Sequence, residues 1–100
     1  MNYTVIVTNA ALEQAEGAYL WLAQHTELHA PTWYNGLLDA INSLEEMPLR
    51  CPRVPGDECR TGEEHQLLYG MSPHVYRIIF IVRDQKVHVL EIIHGARDRQ

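Results

Sequence analysis

The feature that most limits how this chain can fold is the stretch Val75 to Arg97, VYRIIFIVRDQKVHVLEIIHGAR, which reads as a β-hairpin that is apolar on both faces. Tyr76, Ile78, Phe80 and Val82 share one parity, Asp84-Gln85 supplies a short polar break, and Val87 to Ile93 runs apolar again up to His94-Gly95. Ile79 and Ile81 take the opposite face together with Arg77 and Arg83, while Val89 and Ile93 share theirs with Glu91. A strand solvated on one side alternates cleanly between apolar and polar residues. This one does not. Something must cover the second face, and two arginines stand on it.

The 100 residues suit one domain with a modest core. No apolar run approaches the roughly 20 residues of a membrane span, and MNYTVIV does not read as a signal peptide. A cytoplasmic protein is expected, with Cys51 and Cys59 as free thiols. Charge is distributed unevenly. Residues 1–49 carry six acids and no Lys or Arg, whereas residues 50–100 hold all eight basic side chains against seven acids. Affinity for phosphate backbones follows the number of neutralising cations, so strong direct nucleic-acid binding by this chain alone is not expected.

Tyr3 to Val7 alternates β-branched residues and predicts a strand. Thr8-Asn9 offers side-chain oxygens to cap a helix over about residues 9–25, with its stripe at Leu12, Ala15, Tyr19 and Leu22. A second stripe, Ala30, Trp33, Leu37, Ile41 and Leu44, predicts a helix ending at Met47-Pro48. Two amphipathic helices joined by about five residues make an antiparallel hairpin. Leu49 to Glu64, with two prolines and two glycines, is a long loop, and such loops in small domains are often functional. HQLLY adds a strand. The expected fold is α+β: a two-helix hairpin packed on one face of a four-stranded, mostly antiparallel sheet, in the order β-α-α-β-β-β.

Taken in order, the opening strand with TNAALEQAEGAYLWL, then PTWYNGLLDAINSLEEMPLRCP, HQLLYG, YRIIF and VHVLEIIHGAR resemble the RelE/ParE toxin superfamily of bacterial type II toxin–antitoxin modules, whose members are also called plasmid stabilisation proteins. The resemblance spans nearly the whole chain. It implies a growth-inhibiting toxin held neutral by a cognate antitoxin, with DNA gyrase (the ParE branch) or the ribosome (the RelE branch) as target.

The RelE branch cuts messenger RNA without metal or other cofactor, through attack by the RNA's own 2′-hydroxyl. That chemistry needs cations for the phosphorane and an acid–base group near neutrality. The resemblance implies Arg77 and Arg97 as phosphate contacts, a role suited to a planar bidentate fork. His94 suits proton transfer. Each also has a bland reading: Arg77 paired with Glu91, Arg97 a solvated charge, His94 a strand-end residue. The strand before the hairpin reads Glu63-Glu64-His65-Gln66, where the nuclease branch has lysines, and no tyrosine follows the hairpin. A ParE-like binder is slightly favoured, with the RelE-like endoribonuclease and a decayed toxin as alternatives.

The antitoxin surface is expected at Arg77, Ile79, Ile81, Arg83, Val89 and Ile93, an apolar patch rimmed by positive charge on the sheet face the helices leave open. An acidic, initially disordered segment would fold onto it. His25 and His29 lack the companions of a metal site, and so do Cys51, Cys59 and His65. Trp21 and Trp33, at helical spacing, read as core or interface.

Overall fold

The computed structural model describes residues 2–95. Strand β1 (Thr4–Val7) leads into helix α1 (Asn9–His25), helix α2 (Ala30–Asn42), and strands β2 (His65–Tyr69), β3 (Tyr76–Arg83) and β4 (Lys86–His94). Two short 3-10 turns, Ser43–Glu45 and Pro48–Arg50, follow α2. The expected β-α-α-β-β-β order and α+β class are what the chain adopts. In the sheet the strands lie β1-β4-β3-β2. β2, β3 and β4 pair antiparallel, and β1 lies parallel against β4.

Local sequence explains most element boundaries. The Thr8 hydroxyl accepts from the Ala11 N–H at 3.2 Å and donates to the Val89 carbonyl at 2.8 Å. One residue thus caps α1 and ties it to β4. His29 caps α2: its Nδ1 accepts from the Thr32 N–H at 3.4 Å. That role accounts for one of the two histidines weighed above as metal ligands. Asp84 and Gln85 both adopt positive φ (52° and 61°), the two-residue turn whose twist matches the flanking strands.

The second helix is shorter than its stripe suggests. It stops at Asn42, and the 3-10 turn carries Leu44 into the core at 0% exposure. A tighter turn still delivers the last apolar residue of the stripe, because i and i+3 line up in 3-10 geometry. Met47 then takes a left-handed conformation (φ 48°), and Pro48 follows with no N–H to continue a helix.

The main core lies between the helices and one face of the sheet. Ala11, Ala15, Leu22, Trp33, Leu37, Ile41 and Leu44 from the helical side meet Tyr76, Ile78, Phe80, Val87, Val89 and Ile92 from the sheet. A β-bulge alters the face assignment in β4. Ile79 pairs with Glu91, but the next residue, Phe80, pairs with Val89, so Leu90 is the extra residue. One added residue flips every side chain beyond it to the other face. Val87 and Val89 therefore join Ile92 on the helix side, although their parity differs. The Ile92 N–H beside the bulge donates to Gln14 Oε1 of α1 at 2.7 Å.

Candidate functional site

The sheet face turned away from the helices carries Arg77, Ile79, Ile81 and Arg83 of β3, with Glu91 and Ile93 of β4 beside them. The bare patch expected there is not what the structure contains. Ile79 is 0% exposed, Ile81 8% and Ile93 9%. The cover over Ile79 and Ile93 is the chain's own segment between α2 and β2: Val54 is buried with them in a second apolar cluster, and Cys59 packs against it. Val89 does not belong to this face at all, because the bulge moves it into the main core.

The covering segment, residues 51–64, is anchored at both ends. The Val54 N–H donates to the Glu64 carbonyl at 2.9 Å, the Gln66 N–H donates to the Pro52 carbonyl at 2.9 Å, and Arg53 bridges His65. A turn at Pro55 to Cys59 is closed by the Glu58 and Cys59 N–H groups on the Pro55 carbonyl. The Glu64 side chain is buried, and its carboxylate accepts from the Arg60 N–H at 3.2 Å. We call this segment the strap.

Its charges match those of the sheet one by one. Arg77 donates from Nη2 to Glu58 at 2.7 Å and from Nε to Gln66 Oε1 at 2.9 Å, and its side chain is only 10% exposed. Glu91, the partner expected for Arg77, instead faces Arg60 of the strap at 3.8 Å. At the far end Arg83 grips Glu63 Oε2 through Nε (3.0 Å) and Nη2 (2.7 Å). Both members of that last pair are more than half exposed, so it contributes little, whereas the Arg77–Glu58 pair is partly desolvated and stronger.

His94 lies elsewhere. It pairs in register with Tyr76, packs edge-on against the Tyr76 and His74 rings, and bonds the Pro73 carbonyl through Nε2 at 3.0 Å. Trp21 of α1 reaches the same corner, stacked on His25 and edge-on to His74. An open groove of about 680 Å³ between α1 and β4 is lined by Trp21, Tyr76, Ile92 and His94 among others. Arg77 and His94 thus stand on opposite faces of the sheet, and the structure does not bring these two candidate catalytic residues together. Arg97, the third, lies outside the described residues.

Sequence reasoning missed Glu58, Glu63 and the strap's contact with β3. The available signal was the acid-bearing loop itself, but nothing local said which face it crosses. Among the described residues no group of three His, Cys, Asp or Glu side chains could hold a metal, and no helix is long and apolar enough to cross a membrane.

Both cysteines are free. Cys51 packs in the main core and Cys59 in the strap cluster. Burial pushes the Cys51 thiol above its usual range, with Arg50 pulling weakly the other way. Since the thiolate is the reactive form, a thiol reagent should modify Cys59 at least tenfold faster than Cys51 in the native protein. Colorimetric titration with Cys59→Ser as control checks this; equal rates would mean that the two environments do not differ as described.

The sequence profile of the family described as ParE toxin of type II toxin–antitoxin systems, parDE, matches residues 5–99. The chain belongs to that family, within the RelE/ParE toxin superfamily, and is a toxin of the type II toxin–antitoxin class. Among solved structures it resembles the chromosomal ParDE toxin–antitoxin system of P. aeruginosa, with 12% identity, 92% of this chain and 95% of that one covered, and a TM-score of 0.70. It also resembles the toxin–antitoxin complex RelBE2 of Mycobacterium tuberculosis, with 20% identity, 94% and 99% coverage, and a TM-score of 0.64. A double arginine-to-alanine mutant of E. coli toxin RelE in the free state aligns with 18% identity, 96% and 86% coverage, and a TM-score of 0.60. At these identities the likeness is one of fold. Among curated proteins none matches the chain significantly.

Proposed function

We propose that this toxin arrests growth by binding a macromolecular target, in the manner of a gyrase-type binder, and not by cutting RNA. One observation carries the reading: Arg77 and His94 project from opposite faces of the sheet, with Arg77 engaged by Glu58 and Gln66 and His94 by Pro73, Tyr76 and His74. General acid–base catalysis on a phosphodiester needs the proton-transfer group within hydrogen-bond reach of the atom it serves, beside the cations that hold the phosphate. A β-sheet lies between these two. The acids Glu58 and Glu63 also sit where a scissile phosphate would meet Arg77 and Arg83.

A cognate antitoxin neutralises the toxin through the face bearing Arg77, Ile79, Ile81, Arg83 and Ile93. The fold's likeness to ParDE and RelBE2 assemblies supports a protein partner of that kind.

Inducible expression without an antitoxin tests the mode of action. Filamentation with a DNA-damage response is the expected phenotype, and rapid translational arrest with codon-phased messenger cuts would replace this reading by the nuclease one. His94→Gln, which retains a hydrogen-bonding side chain for the Pro73 carbonyl, should leave growth arrest within twofold of the parent. Loss of a general acid–base group instead lowers the rate by about 10²-fold or more. A drop of that size, with melting temperature unchanged, would make His94 catalytic.

A further inference from the structure

The strap follows β3 from one end to the other. Glu58 meets Arg77 at the start of the strand, Arg60 meets Glu91 opposite Ile79, and Glu63 meets Arg83 at its end. Six residue steps along the strand separate the two arginines, about 20 Å. The five residue steps from Glu58 to Glu63 reach at most roughly 18 Å when extended, so side-chain length completes the match. Beneath the charges, Val54 and Cys59 press on Ile79 and Ile93. Aliphatic anchors flanked by carboxylates, laid along a strand, are what a bound acidic peptide would present.

We infer that residues 51–64 act as a built-in ligand: in the isolated toxin they occupy the sheet face that an acidic, aliphatic segment of a partner protein takes by exchange. The inference rests on the reading that a protein partner uses this face, and it adds that the site is closed in the free toxin. The middle of the strap is lightly packed. Gly56 and Gly62 lie in open space, Gly62 has φ 79°, and between Pro55 and Glu63 the side chains are half-buried or exposed. The closure is also local. Val54 and Glu64 clamp the covering part, and Cys51, at the strap's first position, is what ties the strap to the main core on the other side of the sheet.

Exchange of this kind has a competitive signature. A tethered segment competes at an effective concentration near the millimolar range, so a free peptide of equal quality binds the intact protein poorly. Removing the strap's own charges favours the free peptide.

The probe is a synthetic peptide copying residues 53–64, with serine at its cysteine position, titrated into the full-length toxin by fluorescence anisotropy. The Glu58→Lys/Glu63→Lys variant, whose strap is repelled by Arg77 and Arg83, should bind it at least tenfold tighter than the parent. Glu58→Gln/Glu63→Gln, which preserves shape, should gain about threefold and keeps the test valid if the charge reversal unfolds the protein. Adding Arg77→Gln and Arg83→Gln to either variant should abolish the gain. Equal affinity for parent and both variants would overturn the inference, leaving the strap a fixed layer of the fold. So would an RNA 12-mer that binds the variants as tightly as the peptide does, since the face would then be a general anion site. Growth arrest is not part of the readout, so this result and the mode of action can fail separately.

Discussion

Phe80→Ala should cost about 3–5 kcal/mol, the range for emptying a fully buried aromatic site. Phe80 is 0% exposed, sits on β3 in the centre of the sheet, and pairs with Val89 at the bulge while its ring stacks on His65 of β2 at 5.8 Å. The helices above and the neighbouring strands hold its surroundings apart, so the cavity cannot collapse. A domain of this size has about 5–15 kcal/mol in total, so the loss leaves a marginal fold. With about 4–8 °C per kcal/mol at this length, melting should fall by roughly 12 °C or more. Scanning calorimetry or chemical denaturation reads the change. A shift under about 4 °C would mean that the helix–sheet layer is not where the stability resides. Growth arrest and antitoxin binding should weaken together in this variant, which separates it from any substitution on the strap face.

Gly70→Ala should cost about 3 kcal/mol or more, for a different reason. Gly70 directly follows β2 with φ 103°, a conformation that side-chain-bearing residues adopt at a cost of about 1–3 kcal/mol. A Cβ there would also press into the carbonyl oxygen of His74. That oxygen belongs to backbone, so no rotamer change relieves the clash. The turn that feeds Tyr76 and Arg77 into β3 would have to shift. Gly17→Ala is the internal control. It lies within α1 with nothing near its missing Cβ, and the helix should gain up to about 1 kcal/mol. Opposite signs at the two glycines are the expected result. Destabilisation at Gly17 equal to that at Gly70 would show that neither the positive φ nor the carbonyl contact matters.

Much of the fold was legible along the chain because its causes are local. Thr8 caps α1 through a bond spanning three residues, and a stripe at helical spacing forecasts which face of each helix is buried. Asp84-Gln85 forms the hairpin turn with both residues at positive φ, a conformation that short polar residues tolerate best. HQLLY became β2 at the expected residues, Ala15 and Leu22 of the α1 stripe are buried in the core with Tyr19 packed against it while Leu12 stays exposed, and the parity of β3 was correct from Tyr76 to Arg83. Each of these rests on a period of 2 or 3.6 residues, which a sequence displays directly.

What the sequence did not display concerns register and contacts that no residue period records. Counting parity through β4 put Val89 beside Ile93, and the bulge at Leu90 separated them. Nothing in VHVLEIIH marks where an extra residue is taken up, since Leu90 looks like any other apolar strand residue. The structural alternative for Arg77 was a pair with Glu91 inside the hairpin, yet Glu58, 19 positions away, holds it at 2.7 Å. Arg60 takes Glu91 instead. His94 and Arg77, named together for the nuclease alternative, lie on opposite faces of the sheet, a separation that no local pattern displays.

The sequence by itself determined that this is an α+β toxin fold, that both faces of its hairpin are apolar, and that a second layer must therefore lie on the side carrying the arginines. Which residues form that layer was decided by tertiary structure alone. Periodicity reports how much of a strand is buried but carries no record of what buries it. The choice between a partner and the chain's own loop depends on where 14 irregular residues between α2 and β2 come to rest, and that is set by ion pairs and apolar contacts closed over long sequence separations.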